Sequence, residues 1–339
     1  MKTTDFGRYL TDYLSKYLPG YRNLSPHTVA SYRDAFKLLL IFCKDEKGIS
    51  PERLTMSRID NDLIHAFMTW LETIRKCSIS TRNQRLAAIH AFFRYVQTET
   101  PERLLIHQRI LAIPLKKTGK PTVSYLTTEA LQCILKQPDR NTPAGRRDLL
   151  LLTLLYDSGA RVNELIELLV RDIRIAHPAT ITIKGKGQKV RHVPLMSRTA
   201  SLLTDYLQER QLTDLHKSDH PLFFNSRNQK LTRAGVAYII DKYVKLVRKQ
   251  NIVILPDKIS PHVFRHTKAM HLLQANVNLV YIRDFLGHAS VTTSEIYARA
   301  DDQMKRRALE QAYSPTIIDV SPAWQDDKSL LKWLQSLCQ

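Results

Sequence analysis

The chain has 339 residues, enough for two domains that each bury a core, and its 43% hydrophobic and 24% charged residues are typical of a soluble globular protein. Its longest mainly apolar run, Leu149 to Leu155, is far too short to cross a bilayer, which argues against a membrane protein. The net charge of +19 is shared, since residues 1–120 carry +9 and the remainder +10. This favours two domains that each contact a polyanion, with a solvated basic surface as the alternative.

Residues 1–106 are predicted to form an N-terminal helical domain. Apolar side chains recur at helical spacing in four segments: residues 5–18, 25–44, 60–74 and 80–97. The second segment opens with Ser25-Pro26, an N-cap followed by a first-turn proline. We therefore expect four amphipathic helices.

The fourth of these helices begins with two arginines and two amides. Arginine forks onto guanine or phosphate, and asparagine and glutamine pair with adenine. By themselves these residues fit an ordinary exposed first turn better; contact of Arg82, Asn83 and Arg85 with DNA is expected only if the four helices form a DNA-binding domain.

Residues 107–122 are predicted to be a basic linker between two domains. The segment contains two prolines, and its lysines are placed to meet a phosphate backbone. The candidate DNA contacts here are Lys116, Lys117 and Lys120.

Residues 123–339 are predicted to form a mixed α+β domain with a helical C-terminal tail. A helix is expected to start within Leu126 to Glu129, and further helices are expected at the following residues: 146–158, 198–210, 232–249, 262–273, 279–286, around 297, and 301–312. Residues 179–194 alternate between apolar and polar and predict a β-hairpin whose turn contains Lys186, and a short strand is expected at Leu222 to Phe224.

Three motifs in this second part carry reactive side chains. In the first, Gly159 ends one helix, Arg161 begins the next, and Glu164 lies one turn on, close enough to orient the guanidinium. The others are His262-Val263-Phe264-Arg265 and Leu286-Gly287-His288, with Tyr297 nine residues further on.

This ordered set resembles the motifs of the tyrosine recombinase (phage integrase) family, over residues 5 to about 312. The resemblance implies a mainly α fold with a small β-hairpin or sheet. It also implies a four-helix core-binding (SAM-like) domain followed by a mixed α+β catalytic domain, with Lys186 at the position of the family's hairpin lysine. The set is more similar to recombinases of mobile elements, for integration, excision or transposition, than to Xer-type resolvases.

The family chemistry assigns a role to each residue. Tyr297 attacks a DNA phosphate and forms a 3′-phosphotyrosine, while Arg161 and Arg265 stabilise the developing charge. His262 accepts the phenolic proton or holds the phosphate, Lys186 protonates the leaving 5′ oxygen, and His288 hydrogen-bonds a phosphate oxygen. Neither ATP nor a cofactor is expected. His266 and His271 are interpreted as structural.

No metal is predicted. The four cysteines are scattered, and His262 and His266 lack both a glutamate between them and a third ligand. The residues from Met1 to Asp5 lack the apolar core of a signal peptide, so a cytoplasmic protein is expected.

The expected partner is double-stranded DNA with a specific core site, bound by a homotetramer that joins two such sites. Partner recombinases or accessory factors remain open, as does whether the C-terminal segment docks on its own domain or on a neighbour. An Xer-type dimer resolvase, a type IB topoisomerase and a non-catalytic DNA-binding relative are the alternatives.

Overall fold

The computed structural model describes residues 3–119, 123–185, 189–250 and 253–288, together with Ser290, Ser294, Ile296, Tyr297 and Leu334. The chain divides into two compact units, Met1–Pro121 and Thr122–Gln339. The predicted fold class is confirmed, since the described residues are mainly helical with one small antiparallel sheet. None of the described helices is both long enough and apolar enough to span a membrane.

The described residues of the N-terminal unit form helices joined by short loops, followed by a non-helical segment at residues 113–119. Its α-helices are α1 (Asp5–Asp12), α2 (Pro26–Lys47), α3 (Asn61–Thr73), α4 (Ile79–Glu99) and α5 (Leu104–Leu111). A π-helical stretch (Tyr13–Tyr21) continues α1, and short 3-10 turns lie at Pro51–Arg53, Met56–Arg58 and Pro101–Arg103.

Side-chain caps begin these helices where the sequence predicts them. Ser25 and Ser78 each accept a hydrogen bond from the backbone N–H three residues on, as Asp60 does for Leu63. The buried face of α4 contributes Phe92, whose ring lies beside five other aromatic rings: Phe6, Tyr13, Phe36, Phe93 and Tyr95. Caps and apolar stripe together fix both the ends and the orientation of α4.

Helix α5 differs from the prediction, because the expected linker of residues 107–122 starts inside it. Ile110 is fully buried in the core of the N-terminal unit, and the His107 ring lies 5.4 Å from the Phe93 ring. Residues 107–111 therefore belong to the helical domain. Lys120, Pro121 and Thr122 lie outside the described residues.

The C-terminal unit surrounds a small sheet with helices. These helices are α6 (Thr128–Leu135), α7 (Pro143–Asp157), α8 (Val162–Ile166), α9 (Ser197–Glu209), α10 (Arg233–Gln250), α11 (Pro261–Gln274) and α12 (Leu279–Leu286), with 3-10 turns at Val170–Asp172 and Leu215–Lys217. The strands β1 (Ile173–Arg174), β2 (Thr180–Lys184) and β3 (Val190–Pro194) form an antiparallel sheet in that order.

The β2–β3 register decides which side chains face the core. Ile181 pairs with Val193, and Ile183 pairs with Arg191. Paired residues and residues two apart on a strand share a face, so Arg191 lies on the same face as the buried Val193. The hairpin thereby directs an arginine towards the interior.

The short strand expected at Leu222 to Phe224 is present only as isolated bridges, from Pro221 to Leu169 and from Phe224 to Lys230. Residues 301–312, predicted to be helical, lie outside the described residues. The same holds for the rest of the predicted helical C-terminal tail, apart from Leu334.

Helix α11 separates two apolar clusters and presents its polar residues between them. Val263 and Phe264 belong to the main core of the C-terminal unit. Further along the helix, Met270 and Leu273 belong to a second cluster that also contains Tyr297. One helix thus contributes to both clusters, and its histidines and Arg265 lie along the same helix.

We expect Gly145→Ala to destabilise the protein by about 2 kcal/mol or more, because an added Cβ would lie 1.9 Å from the Asp139 carbonyl oxygen. Gly145 is the third residue of α7. The matched control is Gly235→Ala at the third residue of α10, where the nearest atom is a Leu231 methyl at 3.2 Å and alanine favours the helix. Urea unfolding of the full-length variants measures the difference, and equal stabilities would contradict this packing.

Candidate active site

The first motif places Arg161 at the turn between α7 and α8. Gly159 adopts the left-handed conformation there, with φ of 56°. A Cβ at this position would lie 2.8 Å from Leu286 Cδ2, so both the backbone conformation and the close approach require glycine. The turn consequently packs directly against the end of α12.

Glu164 holds Arg161 in place, as the sequence predicts. The backbone N–H of Arg161 donates to Oε2 of Glu164 at 2.9 Å, and Nη1 of Arg161 donates to Oε1 at 2.7 Å. About a third of the Arg161 side chain (35%) remains exposed, whereas the Glu164 side chain is almost fully buried. The guanidinium is therefore oriented on one side and open on the other.

Arg191, which was not predicted as a site residue, shares the same carboxylate. Its Nη2 donates to Oε2 of Glu164 at 2.7 Å, and its side chain is 12% exposed. It also lies against Gly287, where a Cβ would be 3.1 Å from Nη1. The sequence feature that could have identified Arg191 is the alternation along β3. It places this arginine on the core face, where a charged side chain requires a partner.

The environment of Glu164 favours its ionised form. Burial by itself raises the pKa of this carboxyl, but hydrogen bonds from Arg191 and from the backbone and side chain of Arg161 outweigh burial and hold the pKa below its usual value. A negative charge is therefore retained between two guanidiniums at neutral pH.

Arg265 is the most buried charged group of the site. It is 3% exposed, and it donates from Nη1 to the Gly159 carbonyl and from Nη2 to the Leu286 carbonyl, both at 2.6 Å. Burial, followed by the nearby Arg161 charge, lowers the pKa of Arg265 to about 10, so the guanidinium stays charged at neutral pH. Among the described residues, these two carbonyls accept from two of its five N–H donors.

His262 and His288 both lie within the electrostatic influence of Arg265. His262 is exposed in the first turn of α11, and His288 follows Gly287, with Nδ1 2.9 Å from the Ser294 hydroxyl. Burial lowers the pKa of both imidazoles, and the charges of Arg265 and Arg161 lower it further, to about 4 for His288. Both rings are therefore neutral near pH 7.

Tyr297 is buried beside these imidazoles, with an exposure of only 1%. Its ring stacks on His288, with centroids 6.3 Å apart and planes 16° apart, and it packs on Met270 and Leu286. Burial raises the pKa of the phenol, although the Arg265 and Arg161 charges oppose this. The hydroxyl thus lies in the field of both motif arginines but needs a proton acceptor.

The acceptor in contact with that hydroxyl is His266, which the sequence analysis interpreted as structural. Nδ1 of His266 lies 3.0 Å from the Tyr297 hydroxyl, and the two ring centroids are 5.7 Å apart. His266 follows Arg265 and is one helical turn from His262. The four-residue spacing from His262 on α11 is the sequence feature that could have identified His266 as a site residue.

Lys186 lies outside the described residues, as do Gly187 and Gln188. The ends of the loop are described. Gly185 N donates to the Lys189 carbonyl at 2.7 Å, and a Cβ on Gly185 would be 3.3 Å from Oε1 of Glu164. The residue before Lys186 therefore lies against the Arg161–Glu164 pair.

The predicted DNA-contacting residues of α4 are engaged within the N-terminal unit. Arg82 is 4% exposed and makes an ion pair with Glu72. Arg85 donates to the Ser31 carbonyl on α2 at 3.1 Å. Arg82 and Arg85 thus bind α4 to its neighbours, and their contact with DNA stays a prediction.

The linker residues lie against the same end of α4. Asn83 and Lys116 exchange two hydrogen bonds, from Asn83 Nδ2 to the Lys116 carbonyl at 2.8 Å and from Lys116 N to Asn83 Oδ1 at 3.1 Å. Nζ of Lys116 also pairs with Glu72 at 2.6 Å, whereas Lys117 is exposed. Lys120 lies outside the described residues.

Two family models match the chain. Residues 124–304 match the phage integrase family, and residues 10–102 match the phage integrase N-terminal SAM-like domain. The chain is 37% identical over 316 residues to a putative integrase/recombinase, y4rC, of Sinorhizobium fredii, which covers 93% of each chain. It is 34% identical over 298 residues to tyrosine recombinase XerC of Pelobacter propionicus, covering 86% of this chain and 91% of that one.

Two solved structures show the same fold. The XerH site-specific recombinase in its post-cleavage complex with a palindromic difH substrate has a TM-score of 0.68 and 24% identity, over 86% of this chain and 82% of that chain. The Tn1549 transposon integrase in complex with transposon right end DNA has a TM-score of 0.69 and 15% identity, over 89% of this chain and 98% of that chain.

We expect Glu164→Gln to destabilise the protein by about 3 kcal/mol at pH 7, since it removes the anion between two partly buried guanidiniums. The pKa of Glu164 is lower in the folded protein than in the unfolded chain, where it is about 4.3. Its ionised carboxylate therefore stabilises the fold at a pH above about 4.3. This stabilisation is lost as the pH falls through the folded-state pKa.

The difference between wild type and Glu164→Gln should therefore shrink below about pH 4, as measured by urea unfolding from pH 7 to 3. The control is Glu167→Gln, which removes an exposed carboxylate paired with Lys230 and should change stability by less than about 1 kcal/mol. A pH-independent difference for Glu164→Gln would show that its charge does not stabilise the fold.

Proposed function

Because the chain belongs to the phage integrase family and is a tyrosine-type site-specific DNA recombinase, we propose that Tyr297 is its nucleophile. The observation that carries this assignment is the buried phenol, which lies in the field of Arg161 and Arg265 and is hydrogen-bonded to an imidazole. We propose Arg161, Lys186, His262, Arg265 and His288 as the residues that bind and activate the scissile phosphate.

The reaction follows from these groups. The Tyr297 oxygen attacks phosphorus and forms a P–O bond, and the bond from phosphorus to the 5′ oxygen breaks. The guanidiniums of Arg161 and Arg265 hold the non-bridging oxygens, and Lys186 gives the 5′ oxygen its proton. Strand joining is the reverse reaction with the 5′ hydroxyl of another strand, and the phosphotyrosine conserves the bond energy.

The arginines are suited to the transition state because their charge is fixed before substrate arrives. Arg265 is already bound to two carbonyls and Arg161 to Glu164, so neither guanidinium has to reorganise. Preorganised donors of this kind are worth about 3 kcal/mol each in other enzymes. His288 is neutral and presents a donor to a phosphate oxygen without adding charge.

We propose that the enzyme acts on the DNA of a mobile element, by integration, excision or transposition. The 37% identity to a putative integrase/recombinase over 93% of both chains supports this role. Its substrate would be double-stranded DNA with a specific core site, bound by a homotetramer that joins two sites, in the cytoplasm. Partner recombinases or accessory factors would act with it where a site requires them.

In this proposal the N-terminal unit holds the duplex, and its lysines contact phosphates. Lys117 is exposed for such a contact, and Lys116 and Lys120 flank it in the same basic segment. Arg82, Asn83 and Arg85 position the first turn of α4 against the duplex. Salt-dependent binding would follow, because each neutralised phosphate releases counterions.

A second candidate is an Xer-type dimer resolvase, which the similarity to XerC of Pelobacter propionicus favours. The two roles use the same chemistry and differ in the DNA that is joined. A plasmid carrying the DNA that flanks this gene should yield an excised circle under the mobile-element role. Conversion of replicon dimers to monomers, without any circle, would support the resolvase.

Tyr297→Phe is expected to abolish covalent attachment to DNA, because it removes the attacking oxygen and leaves the ring in place. The substrate is a duplex selected by the protein from a random pool and nicked near the cleavage position, so that the released fragment diffuses away. Denaturing gels should show a covalent adduct with wild type and none with Tyr297→Phe.

The matched control is Tyr281→Phe on α12, whose ring is 71% exposed and which should form the adduct at the rate of the wild type. An adduct formed by Tyr297→Phe, or none formed by wild type on a duplex that it binds, would refute the assignment.

A further inference from the structure

We infer that His266 is the proton acceptor for Tyr297 and therefore a catalytic residue in addition to the motif set. This inference rests on the proposed role of Tyr297 as the nucleophile. Within the described part of the chain, His266 is the residue whose polar atom contacts the hydroxyl that must lose its proton, with Nδ1 3.0 Å from that oxygen.

The proposed transfer uses one tautomer of His266. Nδ1 must accept from the phenol, so the ring proton of the neutral imidazole must lie on Nε2. Burial first, and then His262 and Arg265, lower the pKa of His266, so that its acceptor lone pair is free near pH 7. The contact is thus formed with both partners in the protonation states that the transfer requires.

The proton balance is then complete without another reagent. As the Tyr297 oxygen bonds to phosphorus, its proton moves to Nδ1 of His266 and generates an imidazolium. The proton on the 5′ oxygen comes from the opposite side of the phosphorus, from Lys186. In strand joining both transfers reverse, so His266 returns the proton to the departing phenol.

The other two site imidazoles are in different contacts. The His288 ring is nearly parallel to the Tyr297 ring, with centroids 6.3 Å apart, and its Nδ1 lies 2.9 Å from the Ser294 hydroxyl. His262 is exposed, and its ring centroid lies 6.4 Å from that of His266. His262 is consequently better placed to bind phosphate than to reach the phenolic proton.

Helix α11 contains a second His–Tyr pair that serves as an internal reference. Nδ1 of His271 lies 2.9 Å from the Tyr156 hydroxyl, and its Nε2 lies 3.0 Å from the Leu126 carbonyl. Burial raises the pKa of Tyr156, as it does for Tyr297, but the other influence on Tyr156 is the carboxylate of Asp157 rather than a pair of arginines. Both pairs therefore have the same kind of hydrogen bond. The charges of Arg161 and Arg265 act on Tyr297, whereas the charge that acts on Tyr156 is that of Asp157.

The test compares His266→Asn with His271→Asn in the full-length protein. Asparagine retains a polar atom near the position of Nδ1 but does not accept a proton. Single-turnover cleavage of the nicked substrate should slow by about 10²–10⁴-fold for His266→Asn and stay close to wild type for His271→Asn. Urea unfolding of both variants measures any shared loss of stability.

The pH dependence separates proton transfer from simple positioning. In wild type the cleavage rate should fall as the pH drops through the pKa of His266, because the imidazolium has no lone pair. In His266→Asn that limb should be absent, and the rate should rise tenfold per pH unit towards the phenol pKa. Added imidazole should partly restore cleavage by His266→Ala at pH 7.

A substrate with sulfur in place of the 5′ bridging oxygen distinguishes the two ends of the reaction. Its leaving group needs no proton, so it should rescue Lys186→Ala but leave His266→Asn slow. Rescue of His266→Asn would assign His266 to the leaving group and overturn the inference. Faster cleavage by His266→Ala would instead identify the contact as a restraint on Tyr297.

An unchanged rate for His266→Asn, or a slow rate with the pH profile of the wild type, would also overturn the inference while Tyr297 remains the nucleophile. Failure of the proposed function gives a different result, since wild type would then form no adduct or Tyr297→Phe would form one. The two failures are thus separated in the same assay.

Discussion

The site depends on one buried guanidinium held by two backbone carbonyls. Arg265 donates to the carbonyls of Gly159, in the turn between α7 and α8, and of Leu286, the last residue of α12, so a single side chain joins both motif turns to α11. Burying a cation is unfavourable unless it is hydrogen-bonded. The two carbonyls accept hydrogen bonds but carry no net charge, so the guanidinium charge still attracts an anion that enters the site.

Charge is balanced differently at the second guanidinium. Arg161 shares the Glu164 carboxylate with Arg191, so one anion serves two cations, and the depressed pKa of Glu164 reflects both. Burial, and after it the surplus of positive charge, lowers the pKa of the surrounding imidazoles and keeps them neutral. A phosphate that enters would supply the missing negative charge, which suits a site that must bind DNA and stabilise a more highly charged transition state.

Much of this arrangement could be predicted from local sequence. Helix caps, apolar spacing and the motifs of residues 159–165 and 262–265 determine which residues are helical and which side chains are reactive. Other contacts depend on distant segments. Arg191 is recognisable as a site residue only once the hairpin register is known, and His266 only once Tyr297 packs against α11. Arg82 lies in a helix with apparent DNA-reading residues, yet Glu72 on another helix determines that it is buried.

The register of the hairpin has a consequence for how this chain can vary. Arg191 reaches Glu164 because it is paired with Ile183 on the core face of the sheet. One residue inserted within β3 would turn Arg191 outward and leave the buried Glu164 carboxylate without one of its two guanidiniums. The length of β3 is therefore constrained by a buried ion pair as well as by the apolar core.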